Sequence, residues 1–394
     1  MLDGYTVLDL TGLMGQFAGK LLADLGMDVV KVEPPDGDEV RRLGPYKDDV
    51  PGIERSLRFA FLNGGKRGVT LDVRSTEGRA LLLRLVERAD VVLDSFAPGE
   101  MEQLGLGGSV LQAINPDVIT ASVTGFGQDG PRAGYACPDI VGLSMGGLMF
   151  ISGDPSRPPV KAPETQSYYY SCVFTALGIV MALLRREDTG TGDRIDISVQ
   201  ESIATQEHMI REAAFDGVAI KRNGSQHKHT TPANVFACKD GHVYLFILAA
   251  RDWERFLEVW TDHPAELDAP ELKPPHKRRQ RVDMINPLVE GFTQRYTKGE
   301  LTRLLQEHGV PCLPVNSPAD FLAEPQVRER DLFGPVASAV LGQYLAPRFP
   351  VTFDGKRLET GGPPPTLGQH NAEIYGELGL SDAQRAQLAT RRVI

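Results

Sequence analysis

The chain has 394 residues, with 41% hydrophobic and 24% charged side chains. That balance fits a globular protein of about two domains and excludes disorder, collagen-like repeats and coiled coil. A net charge of −10 argues against nucleic acid and anionic membrane surfaces as partners.

The four cysteines, Cys137, Cys172, Cys238 and Cys312, form no CxxC pair. Zinc and dithiol chemistry are therefore not expected, and no metal is assigned. The opening MLDGYTVLDL lacks a basic, then apolar, leader pattern. The longest apolar run, Cys172 to Leu184, is shorter than the ~20 residues a bilayer requires. These features predict a cytoplasmic protein.

In chain order, the spacing predicts a strand over Tyr5–Leu10 and a helix over Gly15–Leu25, with Phe17, Leu21, Leu22 and Leu25 on one face. Gly26 stops that helix, and Asp28–Val32 reads as the next strand. The grammar repeats as strand Gly68–Val73, helix Thr76–Arg88 and strand Asp90–Asp94. A short helix Val110–Ile114, capped by Ser109, and a strand Asp117–Val123 follow. Such βαβ units imply a parallel, doubly wound α/β sheet.

Residues 132–165, rich in Gly and Pro, read as loops. Tyr168–Arg186 reads as a uniformly apolar helix buried between layers. Arg194–Ser198 is another strand, and Lys221–Thr231 a linker. A hairpin is predicted around Lys239-Asp-Gly241, then helices over Asp252–Leu305 broken by prolines. Near the end, Ser381 and Gln384 have capping-box spacing. Residues 1–225 and 326–394 are thus assigned to a large α/β domain. Residues 226–325 form a smaller α+β domain.

Three motifs have bland readings beside them. Gly15-Gln-Phe-Ala-Gly19-Lys20 is one residue short of a phosphate-binding loop and lacks its Ser/Thr. Gly142-Leu-Ser144-Met-Gly146 matches GxSxG, with His308 or His370 as a base. A serine hydrolase needs that Ser on a strand-to-helix elbow. His227-Lys-His229 has no carboxylate at ligand spacing and reads as a solvated loop.

The whole chain nevertheless resembles the class III CoA-transferases, the CaiB/BaiF-like family that also contains formyl-CoA transferases and α-methylacyl-CoA racemases. The resemblance rests on Leu22-Ala-Asp-Leu-Gly26, Val29-Val-Lys-Val-Glu33-Pro34, Gly37-Asp38 with Arg41, and Asn63-Gly-Gly-Lys66-Arg67. It continues through Phe96-Ala-Pro98-Gly99, Ser122-Val-Thr-Gly125-Phe-Gly-Gln128, Asp139, Ala176–Leu183 and Leu367-Gly-Gln-His370-Asn371. It implies a Rossmann-like large domain built from both ends of the chain, a smaller middle domain and an interlocked dimer.

The resemblance also implies that coenzyme A and acyl-CoA are substrates rather than tightly bound cofactors. The reaction it implies moves CoA between an acyl-CoA and a carboxylic acid. Family positions that contact CoA fall on Arg41, Arg74, Ser95, Phe96, Met101 and Arg132, with Lys66 as a further cation. The Arg that often precedes Pro-Gly is Ala97 here. In the loop Met14-Gly-Gln-Phe17, about one residue shorter than the family form, Gln16 replaces the usual Pro and offers a side-chain amide to the acyl group.

The family's nucleophile is an Asp just before the long apolar helix. That position falls on Ser167, flanked by Gln166 and Tyr168, with Glu164 as the nearest acid in sequence and no base visible beside Ser167. The racemases use that Asp and a His before the Asp139 position, which is Pro138 here, so racemisation is not expected. Three readings follow. One is a CoA-binding subunit paired with an Asp-bearing paralogous chain. Another is a homodimer acting on acyl-CoA through Glu164, Gln166 or Ser167. The third is a hydrolase using Ser144.

Overall fold

The computed structural model describes residues 1–206, 221–359 and 361–394. The stretch 207–220, assigned above to the larger domain, lies outside the described residues. The chain divides into two compact units: Met1–Met149, Lys161–Val218 and Arg328–Ile394, and then Phe150–Val160 with Ala219–Val327.

The larger unit is built on six parallel strands: β1 (Thr6–Leu10), β2 (Asp28–Glu33), β3 (Arg67–Thr70), β4 (Val91–Asp94), β5 (Ile119–Thr124) and β6 (Arg194–Ser198). Their order is β3-β2-β1-β4-β5-β6, the doubly wound arrangement, with its switch point between β1 and β4. Strands β1, β2, β4 and β5 are almost wholly buried because both faces of the sheet are covered there, whereas the edge strand β6 is only partly buried. On β1, Leu8 joins one core with Leu82, Leu85 and Tyr375. Val7 points the other way, into a core with Leu22, Cys172 and Ile179.

Eight helices of this unit are α1 (Gln16–Asp24), α2 (Leu57–Asn63), α3 (Thr76–Val86), α4 (Glu100–Gln103), α5 (Gly108–Ile114), α6 (Asp139–Met145), α7 (Gln166–Thr189) and α8 (Val199–Ala204). Local chemistry starts them: Ser56 accepts from Phe59 N–H and Ser75 from Gly78 N–H. Ser109 is not a cap, because α5 begins one residue before it with Gly107 as the flanking residue. Within the predicted loop 132–165, Pro138 and Asp139 begin α6.

Helix α7 departs most from expectation. It runs 24 residues and is, by length and composition, long and apolar enough to cross a membrane. One face packs through Cys172, Ala176, Ile179 and Leu183. The other leaves Val173, Leu177, Met181 and Leu184 between 53% and 60% exposed. It is therefore not buried between layers on all sides.

The edge of the sheet is closed by distant chain. His370 Nδ1 accepts from Gly68 N–H, Asn371 Oδ1 accepts from Thr70 N–H, and Tyr375 OH donates to Thr70 O. Gly190, in the left-handed region at φ 66°, ends α7 and lets the chain turn toward β6.

The second unit has an antiparallel sheet of Ala233–Cys238, Gly241–Phe246 and Cys312–Pro314. Its core is aromatic, with Trp260 stacked on Phe292 at 4.8 Å and Phe256 edge-on to Phe292 at 5.6 Å. Arg278 is fully buried there. It donates to the carbonyls of Thr231, Leu272, Lys273, Ile247 and Leu248, so it is a structural tie rather than a surface charge.

Candidate functional site

At the carboxyl ends of β1, β2 and β3 and of β4 lies a cleft of about 320 Å³. Leu10, Gly12, Pro34, Asp72, Arg74 and Phe96 line it. Ligands of open parallel sheets bind at this place, where the strand order reverses. Apolar Leu71, Val73 and Phe96 offer a face for a flat ring, and the carboxylates of Glu39 and Asp72 face the same space.

Of the residues assigned to CoA, the cleft brings together Arg74 and Phe96. Ser95 stands behind Gly12 and accepts its N–H at 2.9 Å. Met101 is buried and lines a smaller neighbouring space with Asp94, Ser122 and Thr120. Burial pushes the Asp94 carboxyl up to about 6, against hydrogen bonds from Ser122 Oγ and the Phe96 N–H. Arg132 is exposed on the turn after Gly130 and does not line the cleft.

Arg41 and Lys66 do not present their charges to a ligand. Arg41 is fully buried. Its guanidinium holds Glu33 at 2.6 Å and Glu54 at 2.8 Å, and lies 3.8 Å over the Phe59 ring. Lys66 is spent on Asp9 at 2.7 Å, Gln16 O at 2.8 Å and Asn63 Oδ1 at 2.9 Å. Burial alone raises Asp9, but Lys66 and Lys31 outweigh it and hold the carboxyl below its usual range.

These buried groups grip the loop after β1 from beneath. Thr11 N–H and Oγ1 both donate to Asp9, and Lys31 Nζ donates to Thr11 O. The Gln16 amide does not face an acyl group. It is fully buried, donating to Thr11 O and accepting from Asn63.

Ser167, the position that the resemblance assigns to the nucleophile, lies at the start of α7. Ser167 is fully buried. Its Oγ donates to Asp139 Oδ1 at 2.8 Å, and its N–H donates to the same oxygen at 2.8 Å. The other Asp139 oxygen faces the Lys161 ammonium at 2.9 Å. A carboxylate thus stands beside Ser167 after all, closer than Glu164, and ties α6 to the first turn of α7. A Cβ placed on Gly142 would lie 2.8 Å from Ser167 Oγ and 2.7 Å from Val199, so nothing larger than hydrogen fits there.

Gln166 is half-buried as the first residue of α7. Glu164 is exposed, left-handed at φ 58°, and paired to Arg58 at 2.9 Å. Beside it Phe17, Phe61 and Tyr169 cluster, with Phe17 edge-on to Tyr169 at 4.9 Å.

Ser144 sits in the last turn of α6, not on an elbow after a strand, and its hydroxyl donates to Val141 O of its own helix. His370 Nδ1 is occupied by Gly68 N–H, and His308 Nδ1 lies 2.8 Å from Leu304 O. The hydrolase reading is overturned by this placement. Among the described residues no group of three or more His, Cys, Asp or Glu is placed to hold a metal ion.

Comparison with known proteins agrees with the fold. The pattern of CoA-transferase family III matches residues 2–371. The chain is 35% identical to succinyl-CoA–D-citramalate CoA-transferase of Chloroflexus aurantiacus, covering 100% of this chain and 98% of that one. It is 30% identical to the BbsE subunit of succinyl-CoA:(R)-benzylsuccinate CoA-transferase of Thauera aromatica, covering 95% and 93%. A solved CaiB/BaiF family protein from Brucella suis superposes with a TM-score of 0.86 at 31% identity, covering 96% and 99%. With matches spanning the sequence from end to end and a sheet of the same build, the chain belongs to CoA-transferase family III and is an enzyme of that class, moving CoA between an acyl-CoA and a carboxylic acid.

Proposed function

We propose that this chain is the CoA-binding, nucleophile-lacking member of a class III CoA-transferase that exchanges CoA between dicarboxylic acids, paired with a related chain carrying Asp at the position of Ser167. The observation that carries this reading is the closed environment of Ser167: a hydroxyl with no accessible surface, held by Asp139. A nucleophile must reach a thioester carbon. The subunit named BbsE among the relatives supports a division of labour between chains. The acids in the relatives' names, among them citramalate, mesaconate, oxalate and glutarate, support a dicarboxylate substrate.

The exposed apolar face of α7 supports a chain–chain interface, and the family's interlocked dimer is the form we propose for it. The cleft is the proposed CoA site, the larger unit the proposed CoA-binding domain and the cytoplasm the proposed compartment. A second reading is favoured by Glu164, an exposed carboxylate in a left-handed conformation one turn before Ser167. In it, a homodimer uses Glu164 as its own nucleophile.

The test is CoA transfer by the purified chain, alone and with an Asp-bearing relative, from succinyl-CoA to a panel of diacids, with intact-mass trapping. Transfer only in the mixture, with the adduct on the partner, is expected. An adduct on Glu164 or Ser167 of this chain alone overturns the proposal.

A further inference from the structure

The interior of the cleft is a poor place for phosphate. Glu39 and Asp72 line it beside Glu33 and Asp38, which buried Arg41 and Lys31 neutralise, and Arg74 is the one cation among its lining residues. An anion entering that space meets like charge at Glu39 and Asp72. A ring and a ribose suit it better, since carboxylates accept from sugar hydroxyls. The phosphates of a nucleotide seated there must lie at the rim.

Arginines from two distant parts of the chain flank Asp36, in the turn between the lining residues Pro34 and Asp38. Arg42 follows β2, and its guanidinium donates to Asp36 O at 2.6 Å and Gly37 O at 3.2 Å. These partners are backbone carbonyls, which leave its charge unneutralised. Arg392 comes from the segment after helix Asp382–Thr390 and pairs with the Asp36 carboxylate. Two guanidinium groups thus converge on one aspartate beside Pro34. Arg391 next to them reaches Glu77 at 2.7 Å.

This segment is held in place rather than loose. Asp72 N–H donates to Val393 O at 2.7 Å, and Val393 and Ile394 are buried in the core of the sheet. Arg392 lies in the left-handed region at φ 56°, a conformation that is unfavourable for a non-glycine residue and persists where neighbours enforce it. The Arg392–Asp36 pair is 66% and 71% exposed. Such pairs are weak in water, and a dianionic phosphate is a stronger partner for a guanidinium than one carboxylate.

We infer that Arg392, with Arg42, recognises the 3′-phosphate of coenzyme A, displacing the Asp36 carboxylate. Arg391 adds charge beside them. This inference rests on the cleft being the CoA site. It assigns the phosphate that separates CoA from its dephospho form to a segment remote in sequence from the strand-end loops that form the cleft.

The test is calorimetric titration of the full chain with CoA and with 3′-dephospho-CoA. Wild type is expected to bind CoA about tenfold more tightly than dephospho-CoA. Arg392→Gln, an exposed and conservative change, is expected to remove that difference while leaving dephospho-CoA affinity unchanged. Asp36→Asn, which removes the competing carboxylate, is expected to tighten CoA binding by a fewfold and leave dephospho-CoA unchanged. Equal binding of the two ligands by wild type overturns the inference, as does an equal loss for both ligands in Arg392→Gln. Binding of neither ligand by wild type overturns the cleft as the CoA site, which the wild-type titration alone reveals.

Discussion

Two sets of basic side chains in the larger unit occupy opposite environments. Beneath the loop after β1, Lys66, Lys31 and Arg41 are sealed from solvent and matched to Asp9, Asp38 and Glu33. By contrast Arg74 of the cleft lining, and Arg391 and Arg392 after helix Asp382–Thr390, are more than half exposed, each leaning on one carboxylate. The first set cannot be lent to a ligand without stranding a buried charge. The second set can exchange partners at little cost. Family resemblance alone does not separate these roles, since it assigns Arg41, Lys66 and Arg74 alike to CoA.

The largest expected effect falls on the buried set. Lys66→Met strips buried Asp9 of its direct ion-pair partner, leaving it the Thr11 hydrogen bonds and the Lys31 charge, and is expected to cost about 3–5 kcal/mol, read from urea unfolding. A Lys66→Met chain that unfolds like wild type yet fails to bind CoA would break the comparison and return Lys66 to the ligand site.

Next comes Asp94. Its folded value near 6 lies above the ordinary carboxyl value of 3.8, so the folded state holds a proton that the unfolded state has released. The sign is therefore negative: this group's contribution to stability falls as pH rises from about 4 to 6 and stays lost above. Asp94→Asn is expected to match wild type near pH 4. At pH 7 it is expected to exceed wild type by roughly 2–3 kcal/mol, since each pH unit between the two values is worth about 1.36 kcal/mol. Denaturation curves at the two pH values measure this, and an unchanged gap between them counts against it.

Ser167→Ala removes one hydroxyl from Asp139 while leaving the backbone N–H in place. We expect a loss of about 1–2 kcal/mol in stability and no change in transfer by the mixed enzyme. A collapse of turnover with stability intact would make Ser167 a reacting group.

The smallest effect is expected at the rim. Arg74→Gln should leave the unfolding midpoint within about 0.5 kcal/mol of wild type and weaken CoA binding several-fold, more at low salt than at high. If the loss is the same at both salt concentrations, Arg74 acts through packing rather than charge.

Much of the sheet is legible in the sequence because its signals are local. The apolar runs Val7–Leu10 and Asp28–Val32 flank a helix stopped by Gly26, and β1, α1 and β2 fall within a residue or two of expectation. The Ser381–Gln384 box caps its helix as the spacing predicts. Helix α6 is hidden inside a Gly- and Pro-rich stretch, although Pro138-Asp139 is itself a helix-start signal.

The roles of the charges are less legible, because they depend on partners far away in sequence. Asp9 meets Lys66 across 57 residues and Ser167 meets Asp139 across 28. One clue is present: Asp9 is the single charge of β1, and Lys31 stands between the apolar residues Val30 and Val32 of β2. A charge so placed must be paired in the fold. Asp139 carries the same kind of warning for Ser167, but only the packing of α6 on α7 brings the two together.

The closure of the β3 edge also sets a schedule. Thr70 receives Asn371 from 301 residues further on, and Tyr375 reaches it across 305. At a synthesis rate of about 5–20 residues per second, β3 leaves the ribosome ~15–60 s before the segment that covers it. During that interval the nascent sheet keeps an open edge of the kind that invites wrong pairing. The same segment leads into Arg391 and Arg392. A growing chain therefore acquires its covered edge and these two arginines almost together, long after β3 has emerged.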